Sequence, residues 1–487
     1  MSVSDPSEQH PSPPDDDADT WDVVVVGAGP VGENVADYAV QGGLSAVVVE
    51  AELVGGECSY WACMPSKALL RSGDARRAAL AVDGARQAVT GDLDVGAVLA
   101  RRTSFTSDWD DAGQVEWLGS AGIDLVRGRG RLSGVREVTV ELEGGGERVL
   151  RARHAVALAT GTRPFLPDVP GLREAEPWTN REAVSATEIP DSLVVIGGGA
   201  VGSELAGAFS DLGARVTMLV RGGLLGGYEP FAGETVTEAL AARGVDVRTG
   251  VSPSAVRRIA SGVEIDLDDG STVRSEQLLV ATGREPRPGL GLDAVGLPEG
   301  WVDVDETLRA LGPDGAPLDW LYAVGDANHR APLTHHGKYQ ARAAGAAIAA
   351  RAAGEPVEAE PWGMHAATAD ALATTQVVFT DPQVASVGRT AAQAEEAGHP
   401  VRVVDQDLGA VAGSALHADG YAGKVRMVVD EEREVIVGMT FVGPDAAELL
   451  HAATIAVVGE IPLDRLWHAV PAYPTMSEVW LRLLEAW

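Results

Sequence analysis

The chain of 487 residues, 45% of them hydrophobic, is too long for one core and predicts three or four domains or subdomains. Its formal net charge of -33 argues against nucleic acid or an anionic membrane as a partner, because both would repel it. The sequence has neither a run of about 18 apolar residues nor the basic-then-apolar order of a signal peptide, so we expect a cytoplasmic protein without a membrane partner.

Residues 22–50, DVVVVGAGPVGENVADYAVQGGLSAVVVE, are typical of a buried strand, a tight turn, a helix and a second strand. The turn carries Gly27, Gly29 and Gly32 as Gly-x-Gly-x-x-Gly, which lets a pyrophosphate approach the helix N-terminus. Glu50 ends the second strand, where its carboxylate can accept hydrogen bonds from a ribose hydroxyl. The unit therefore predicts dinucleotide binding.

Cys58 and Cys63 are the only cysteines and lie in GGECSYWACMPSK. A disulfide here would close a loop too small to stabilise so long a chain much, and no Cys/His cluster stands nearby to complete a metal site. The pair therefore indicates chemistry rather than scaffolding, and two unrelated buried thiols are the alternative. A pair that cycles between thiols and a disulfide would fit a reducing compartment. We expect a helix to begin near residues 65–68, where its dipole and Lys67 can lower the pKa of the first cysteine.

A second unit, LVVIGGGAVGSELAGAFSDLGARVTMLVR, repeats the pattern with Gly197, Gly199 and Gly202. Two such units predict two dinucleotides, the arrangement needed to pass electrons from one to the other. Where the first unit ends in an acid, the second ends in Val220 followed by Arg221. A guanidinium suits a 2'-phosphate, so NADPH is favoured, with NADH as the alternative.

Two similar strand ends, ALATGTRP and LLVATGREP, place Thr160, Gly161 and Gly283 at sharp turns beside a nucleotide. The segment LYAVGDAN adds a buried strand that ends at Gly325 and Asp326. An acid there lies where an open parallel sheet presents groups to its ligand, and a solvated turn is the alternative.

From about residue 361 the pattern changes to an antiparallel sheet with helices, one of them predicted at residues 445–458. This part has no nucleotide fingerprint. We expect a separate domain that provides the contact between two copies of the chain.

In this order, the two fingerprints, the GGxCxxxxCxPSK loop, the Gly325-Asp326 motif and the closing YPTMSE resemble the class I pyridine nucleotide-disulfide oxidoreductases, the family of dihydrolipoamide dehydrogenase, glutathione reductase and mercuric reductase. The resemblance covers residues 22–480. It implies an α/β homodimer with two Rossmann-like domains, for FAD and for NAD(P), and a C-terminal α+β dimerisation domain. The expected division is a disordered acidic arm rich in Pro, Ser and Asp at 1–20, the first part of the FAD-binding domain at 21–175, the NAD(P)-binding domain at 176–287, the central part of the FAD domain at 288–358 and the interface domain at 359–487.

The resemblance also implies roles for single residues. Cys63 would be the thiol nearest the flavin, and Cys58 the interchange thiol that meets the substrate. Lys67 would lie near flavin N5 and pair with Glu204, although the residues alone allow both to be surface side chains. Asp326 would bind the ribityl chain, and a helix beginning at residues 332–335 would point its N-terminus at the pyrimidine edge of the flavin. The further positions implied are Pro30, Gly56, Gly130, Thr160, Gly161, Leu333, Thr334 and His335 for FAD, and Ala200, Val201, Gly202, Arg221, Val251 and Gly283 for NAD(P).

The closing motif departs from that of the disulfide reductases, in which a histidine before the proline acts as acid and base across the dimer and a glutamate orients it. Here Tyr473 stands in that place, while Glu478 remains. A phenol is a poor base near neutrality, so protonation of a leaving thiol should suffer. His468 is the weaker candidate for a replacement, because it does not align.

Mercuric reductase has a tyrosine at this place, and thiolates that bind a metal ion need no proton shuttle to a leaving sulfur. Against that activity, the chain ends in LRLLEAW without a cysteine pair and has no N-terminal metal-binding domain. Tyr60 and Trp61, between the cysteines, either narrow access to the disulfide, stack on a flat substrate or pack against the core.

We therefore predict a homodimeric FAD enzyme that uses NADPH, or else NADH, to reduce a small-molecule disulfide through Cys58 and Cys63. The alternative substrate is a metal ion, a quinone or another electrophile. A third hypothesis is a flavin-binding protein with a structural disulfide and vestigial activity. No resident metal site is expected.

Overall fold

The computed structural model describes residues 19–487. All but the last two residues of the expected acidic arm at 1–20 lie outside the described part of the chain. Thr20 already belongs to the first strand.

The first nucleotide-binding unit begins with a strand whose valines are buried on both faces, as in a parallel strand covered by helices. The helix that follows starts at Pro30, where the missing N–H costs little because first-turn N–H groups have no partner within a helix. Its elements are β1 (Thr20–Val26), α1 (Pro30–Gln41), β2 (Ala46–Glu50), α2 (Gly56–Tyr60), α3 (Cys63–Leu80), α4 (Val95–Phe105), α5 (Ala112–Ser120), β3 (Ile123–Gly134), β4 (Glu137–Leu142), β5 (Glu147–Leu158) and β6 (Thr162–Pro164).

The second unit repeats this strand and helix order. Its parallel sheet has the order β13 (Gln277–Val280), β7 (Ser192–Ile196), β8 (Arg215–Val220) and β9 (Asp246–Thr249). Beside it lies an antiparallel sheet of β10 (Pro253–Ile259), β11 (Gly262–Leu267) and β12 (Thr272–Ser275), and β14 (Arg284–Pro286) pairs with β6 of the first unit. These elements are α6 (Asn180–Ser185), β7 (Ser192–Ile196), α7 (Ala200–Asp211), β8 (Arg215–Val220), α8 (Pro230–Ala242), β9 (Asp246–Thr249), β10 (Pro253–Ile259), β11 (Gly262–Leu267), β12 (Thr272–Ser275), β13 (Gln277–Val280) and β14 (Arg284–Pro286).

The chain then returns to the first unit through β15 (Arg309–Leu311), β16 (Pro317–Ala323) and α9 (Thr334–Ala353). β16 pairs in parallel with β5, so the parallel part of the first sheet has the order β3-β2-β1-β5-β16. The carboxyl ends of these strands bring Gly27, Glu50, Thr160 and Asp326 to one edge, where open parallel sheets bind their ligands.

The C-terminal domain is a five-stranded antiparallel sheet packed against helices around its own core. The strand order is β17 (Thr375–Val378), β18 (Gln383–Gly388), β21 (Val435–Gly443), β20 (Lys424–Asp430) and β19 (Val401–Asp407). The helix predicted at residues 445–458 is divided, because Asp445 has a φ of 53° and a tight 3-10 turn at Ala446–Leu449 precedes the α-helix. The elements are α10 (Ala369–Leu372), β17 (Thr375–Val378), β18 (Gln383–Gly388), α11 (Ala391–Glu396), β19 (Val401–Asp407), α12 (Ala412–His417), β20 (Lys424–Asp430), β21 (Val435–Gly443), α13 (Leu450–Val458), α14 (Leu463–Leu466) and α15 (Val479–Ala486).

One arginine connects all three parts of the molecule. Arg77, on α3, forms ion pairs with Asp74 on its own helix, with Asp211 at the end of α7 and with Asp381 of the C-terminal domain. Arg243 of the second unit also binds Asp211, at 2.7 Å. The helix that begins at Cys63 is thus held at its far end by both neighbouring domains. No helix between residues 19 and 487 is long and apolar enough to span a bilayer.

Candidate active site

A cleft at the carboxyl edge of the first sheet brings together most positions expected to bind FAD, and Cys58 also lines it. Gly32 lies outside it, because this glycine packs against the carbonyl of Gly27, where an added Cβ would lie 1.8 Å from the oxygen. The expected residues that line the cleft are Gly27, Gly29, Pro30, Glu50, Gly56, Gly130, Thr160, Gly161, Asp326 and Thr334.

The polar groups of the cleft fit an adenine dinucleotide such as FAD. The Glu50 carboxylate accepts hydrogen bonds from the backbone N–H groups of Ala28, at 2.7 Å, and Glu52, at 2.8 Å, which hold it at the strand end. Thr160 Oγ1 is buried and has no hydrogen-bond partner among residues 19–487. No side chain within the described residues 19–487 caps α1, so the first-turn N–H groups of this helix are available for an anion.

The two cysteines lie on different helices. Cys58 is in the short helix α2, Cys63 is the first residue of α3, and both are free thiols. The expectation that the helix begins near residues 65–68 and acts on the first cysteine is therefore wrong. The second cysteine, Cys63, occupies the position where unsatisfied N–H groups and the helix dipole favour a thiolate.

Hydrogen bonding separates the acidities of the two thiols. The Cys63 sulfur lies 3.4 Å from Thr334 Oγ1. A hydrogen bond from Cys58, together with Thr334 and the charge of Lys67, lowers the pKa of Cys63 despite its burial. The same bond to Cys63, together with burial, raises the pKa of Cys58. Cys63 is therefore the more acidic thiol of the pair, and Cys58 is the less acidic one.

The structure places Lys67 beside Glu204. Lys67 lies one helical turn after Cys63, and its Nζ is 2.7 Å from Glu204 Oε2. Glu204 is only 4% exposed, and its other carboxylate oxygen accepts from the backbone N–H of Phe379 at 2.9 Å. A buried carboxylate held this way keeps a lysine ammonium at a defined place between the two nucleotide units.

The second fingerprint forms an open turn at the N-terminus of α7. An added Cβ at Gly199 would meet no atom within 4 Å, and Val201 is 44% exposed. Arg221 follows β8, is exposed, and has no hydrogen bond or ion pair with any residue of the 19–487 range. Also at this side are Gly197, which turns with a φ of +121°, the helix residues Ala200 and Gly202, Val251 after β9 and Gly283 with a φ of +132°.

Leu333 and His335 do not line the cleft with their side chains. His335 Nε2 lies 2.7 Å from the carbonyl oxygen of Thr375, so the imidazole faces the C-terminal domain. Leu333 lines a separate cavity between the domains. Their neighbour Thr334 reaches the cysteines, because α9 begins at that residue. The expected helix is present, but only one of these three side chains faces the cleft.

A group of charged residues at the cleft was not predicted. Arg181, from α6, donates to Glu57 and to both carboxylate oxygens of Glu52, at 3.0 and 2.8 Å. Arg284 donates to Thr162 Oγ1 at 2.6 Å, and Arg287 also lines the cleft. The segment TGREPRP contains the last two arginines directly after a recognised turn, so their presence was visible in the sequence. Nothing in the sequence connects Arg181 to the cysteine loop.

Tyr60 and Trp61 pack into the protein. Tyr60 is 3% exposed, and its backbone carbonyl accepts from the indole N–H of Trp109 at 3.1 Å. Trp61 packs against the core between the first and second units, with the guanidinium carbon of Arg181 4.2 Å from its ring centroid. Asn180 donates to the Trp61 carbonyl at 2.7 Å. Of the alternatives, the structure therefore supports packing, which fixes the cysteine loop to the second unit.

The closing motif is open to solvent. Tyr473 is 76% exposed. Glu478 is buried, and it accepts a hydrogen bond from Arg482 in its own helical segment at 2.6 Å. Within residues 19–487 no hydrogen bond joins Glu478 to Tyr473, and the second oxygen of Glu478 has no partner. His468 is also exposed. No group of three or more His, Cys, Asp or Glu side chains in this part of the chain could hold a metal ion.

Comparisons with known proteins agree with this architecture. The model of the pyridine nucleotide-disulphide oxidoreductase family matches residues 21–345, and that of its dimerisation domain matches residues 374–483. The dihydrolipoyl dehydrogenase of Haloferax volcanii is 32% identical over 95% of both chains. The mercuric reductase of Shigella flexneri is 33% identical over 94% of this chain and 79% of its own.

Solved structures show the same fold. LpdA from Mycobacterium tuberculosis has a TM-score of 0.80 and 25% identity, over 95% of this chain and 98% of its own. The Cu(II) complex of RclA, a HOCl-induced flavoprotein disulfide reductase from Escherichia coli, has a TM-score of 0.79 and 20% identity, over 96% of this chain and 99% of its own.

The chain therefore belongs to the pyridine nucleotide-disulfide oxidoreductase family. Its relatives are FAD-dependent oxidoreductases, and the family binds FAD and a pyridine nucleotide. The predicted resemblance and fold class are confirmed, including the C-terminal dimerisation domain. The residue roles implied by the resemblance stay predictions.

Proposed function

We propose that the protein is a homodimeric enzyme that uses NADPH to reduce a small-molecule disulfide through Cys63 and Cys58. The observation that carries the proposal is the thiol pair at the cofactor cleft: Cys63 begins α3 and lies 3.4 Å from Thr334 Oγ1, and Cys58 and Thr334 line the cleft. When bound, FAD supplies the two-electron carrier between NADPH and this pair. Thr334, which lines the cofactor cleft, and the charge of Lys67 both favour a thiolate at Cys63.

The reaction balances through the two sulfurs. Cys58, after losing its proton, attacks one sulfur of the substrate disulfide, and the substrate S–S bond breaks. The leaving thiolate takes a proton. The Cys63 thiolate then attacks the Cys58 sulfur, which releases the second half of the substrate as a thiolate and leaves a Cys58–Cys63 disulfide. The released thiolate takes a proton from solvent. The two electrons and one proton of a hydride from NADPH would then restore the Cys58 thiol and the Cys63 thiolate, and NADP⁺ would be released.

Two features of the second unit support NADPH over NADH. The strand that would end in a ribose-binding acid ends in Val220, and the next residue is an exposed arginine without a protein partner among residues 19–487. A guanidinium in water at this position suits a 2'-phosphate.

The closing motif supports a second candidate, the reduction of a metal ion, a quinone or another electrophile. Glu478 is bound by Arg482, and Tyr473 is exposed, so within residues 19–487 of one chain no oriented base lies at this place. A substrate without a sulfur leaving group does not need one.

An anaerobic titration tests the proposal. NADPH added to the purified protein should first give a long-wavelength absorbance band between the Cys63 thiolate and the flavin. Full bleaching of the flavin without that band would contradict the role of the pair. A panel of disulfides, quinones and mercuric ion, run on wild type and Cys58→Ser, then separates the candidates. If Cys58→Ser abolishes disulfide turnover, the result supports reduction of a small-molecule disulfide. If quinone turnover survives in Cys58→Ser, the thiol pair is not needed for quinones.

The nucleotide preference is tested by kcat/KM for NADPH and NADH in wild type and Arg221→Gln. The substitution should lower kcat/KM for NADPH about tenfold and leave that for NADH unchanged. Equal effects on both nucleotides would contradict a contact to the 2'-phosphate.

A further inference from the structure

The cofactor cleft contains an arginine that the protein does not pair. Arg181 and Arg284, which also line the cleft, donate to Glu57 and Thr162. Arg287 forms no hydrogen bond or ion pair with any residue from 19 to 487, although it is partly buried and burial lowers its pKa. A guanidinium withdrawn from water without a partner costs free energy unless an anion joins it.

The charged neighbours of Arg287 locate it along the cleft. Its guanidinium interacts electrostatically with three carboxylates that line the same cleft, those of Glu50, Glu52 and Glu57. Glu50 marks the end where a ribose binds, whereas Glu57 immediately precedes Cys58 and marks the end where the flavin meets the thiols. Between the adenosine and the flavin of FAD lies the pyrophosphate, the only charged part of the molecule.

The negative charges in the cleft also indicate that a cation is needed beside a bound pyrophosphate. Glu52 and Glu57 bring two carboxylates to the cleft, and both would repel a pyrophosphate. Arg181 offsets them, but its N–H groups are already donated to these same carboxylates. Arg129 is exposed, so solvent screens its charge. Arg287 is partly buried and retains all of its N–H donors for a ligand.

We propose that Arg287 binds the phosphate oxygens of the FAD pyrophosphate. The proposal deepens the cofactor site and rests on FAD occupying this cleft. The N-terminus of α1 provides backbone N–H groups for the same anion, and the arginine adds a positive charge with N–H groups in a planar fork that matches phosphate geometry. Arg287 thus offsets the repulsion that Glu52 and Glu57 introduce.

The rate of FAD release from the purified holoenzyme tests this contact. Flavin fluorescence after dilution gives the rate at low and at high KCl for wild type, Arg287→Gln and Arg287→Lys. Arg287→Gln should release FAD about tenfold faster at low salt, because a charge-assisted hydrogen bond is lost. Its rate should also depend less on KCl than that of wild type, since the screened interaction is absent. Arg287→Lys should release FAD at an intermediate rate and keep the salt dependence.

Arg163→Gln is the matched control. Arg163 lies on β6, pairs with Glu285 at 2.7 Å and does not line the cleft, so its loss removes the same charge near Arg287 without touching the ligand. It should release FAD as wild type does. A wild-type release rate in Arg287→Gln, an unchanged salt dependence, or an equal effect of both substitutions would overturn the proposal.

Two further outcomes are decisive. If Arg287→Gln yields no folded protein, the FAD release rate of Arg287→Lys tests the proposal instead. A wild-type release rate in Arg287→Lys would show that the planar N–H groups of Arg287 contact no phosphate. If wild type purifies without FAD and does not take it up, the cofactor assignment itself fails, and the role of Arg287 fails with it. A wild type that holds FAD while Arg287→Gln behaves identically overturns only the role of Arg287.

Discussion

The cofactor end and the acceptor end of the proposed electron path are built differently. At the cofactor end, Cys63 is held by Cys58, Thr334 and Lys67, which come from three helices. At the acceptor end, Tyr473 is exposed, and Glu478 is bound within its own segment. In the proposed path, one chain therefore supplies the groups around the Cys63 thiolate, whereas proton transfer at the acceptor end would depend on the substrate or on a second copy of the chain. Four substitutions, each with a paired or control variant, test this difference between the two ends.

The largest effect is expected at the thiol that links the two ends. Cys63→Ser should abolish the long-wavelength absorbance and lower disulfide turnover on the order of 10³-fold or more, because the thiolate is lost. Cys58→Ser is the paired variant and should lose the same turnover while it keeps the absorbance. Anaerobic spectra and steady-state rates measure both. Absorbance that persists in Cys63→Ser would show that the charge does not reside on this sulfur.

The next effect concerns the acceptor end. Tyr473→His should raise disulfide turnover about 10- to 100-fold by supplying a base near neutrality. Tyr473→Phe, which keeps the ring without the hydroxyl, should leave the rate unchanged. Turnover rates between pH 6 and 9 measure the gain. If Tyr473→His gives no gain, a missing base does not limit the rate of disulfide turnover. A large loss of turnover in Tyr473→Phe would assign a role to the phenol.

At the cofactor end, Glu204→Gln removes the charge that faces Lys67. The Lys67 ammonium is about one-third exposed, so solvent screens the ion pair. We therefore expect the activation free energy of flavin reduction to rise by only about 1–2 kcal/mol, which makes the reduction by NADPH roughly tenfold slower. Stopped-flow absorbance measures this rate. Glu234→Gln, an exposed change on α8 of the same unit, is the control and should have no effect. Equal rates of flavin reduction in Glu204→Gln and Glu234→Gln would show that the Lys67–Glu204 ion pair has no role in electron transfer to the flavin.

The smallest effect is a shift in titration. The Thr334 hydroxyl helps to lower the pKa of Cys63, so the thiolate absorbance is present above that pKa and is lost as the pH falls through it. In Thr334→Val the pKa rises, and the loss should begin at a pH higher by up to about one unit. Thr237→Val, whose hydroxyl donates to a carbonyl within α8, should titrate as wild type. A lower or unchanged midpoint in Thr334→Val would contradict the hydrogen bond.

Local patterns explain why much of this architecture could be predicted. Buried strands followed by spaced glycines predict both nucleotide units. The turn at Gly27 and the packing of Gly32 against the Gly27 carbonyl depend on residues only a few positions apart. Glu50 and Asp326 follow from the same logic, since Glu50 ends β2 and Asp326 comes three residues after β16 at the same sheet edge.

Long-range and helix-end features could not be predicted in this way. Arg181 meets Glu57 across 124 residues, and no local pattern encodes such a contact. The start of α3 was misplaced because Ala62 offers no capping side chain, which made Pro65 the visible start signal. Proline is tolerated anywhere in the first turn, and here it is the third residue of the helix.

The anchoring of α3 at both ends fixes its length. Arg77 is bound to both neighbouring domains, and Cys63 meets Thr334 about four turns, or about 21 Å, away along the axis. One inserted residue between them would rotate the thiol by about 100° relative to these anchors. Insertions in this stretch should thus be excluded from any functional variant, whereas the exposed hairpin turn at residues 143–146 can change in length freely.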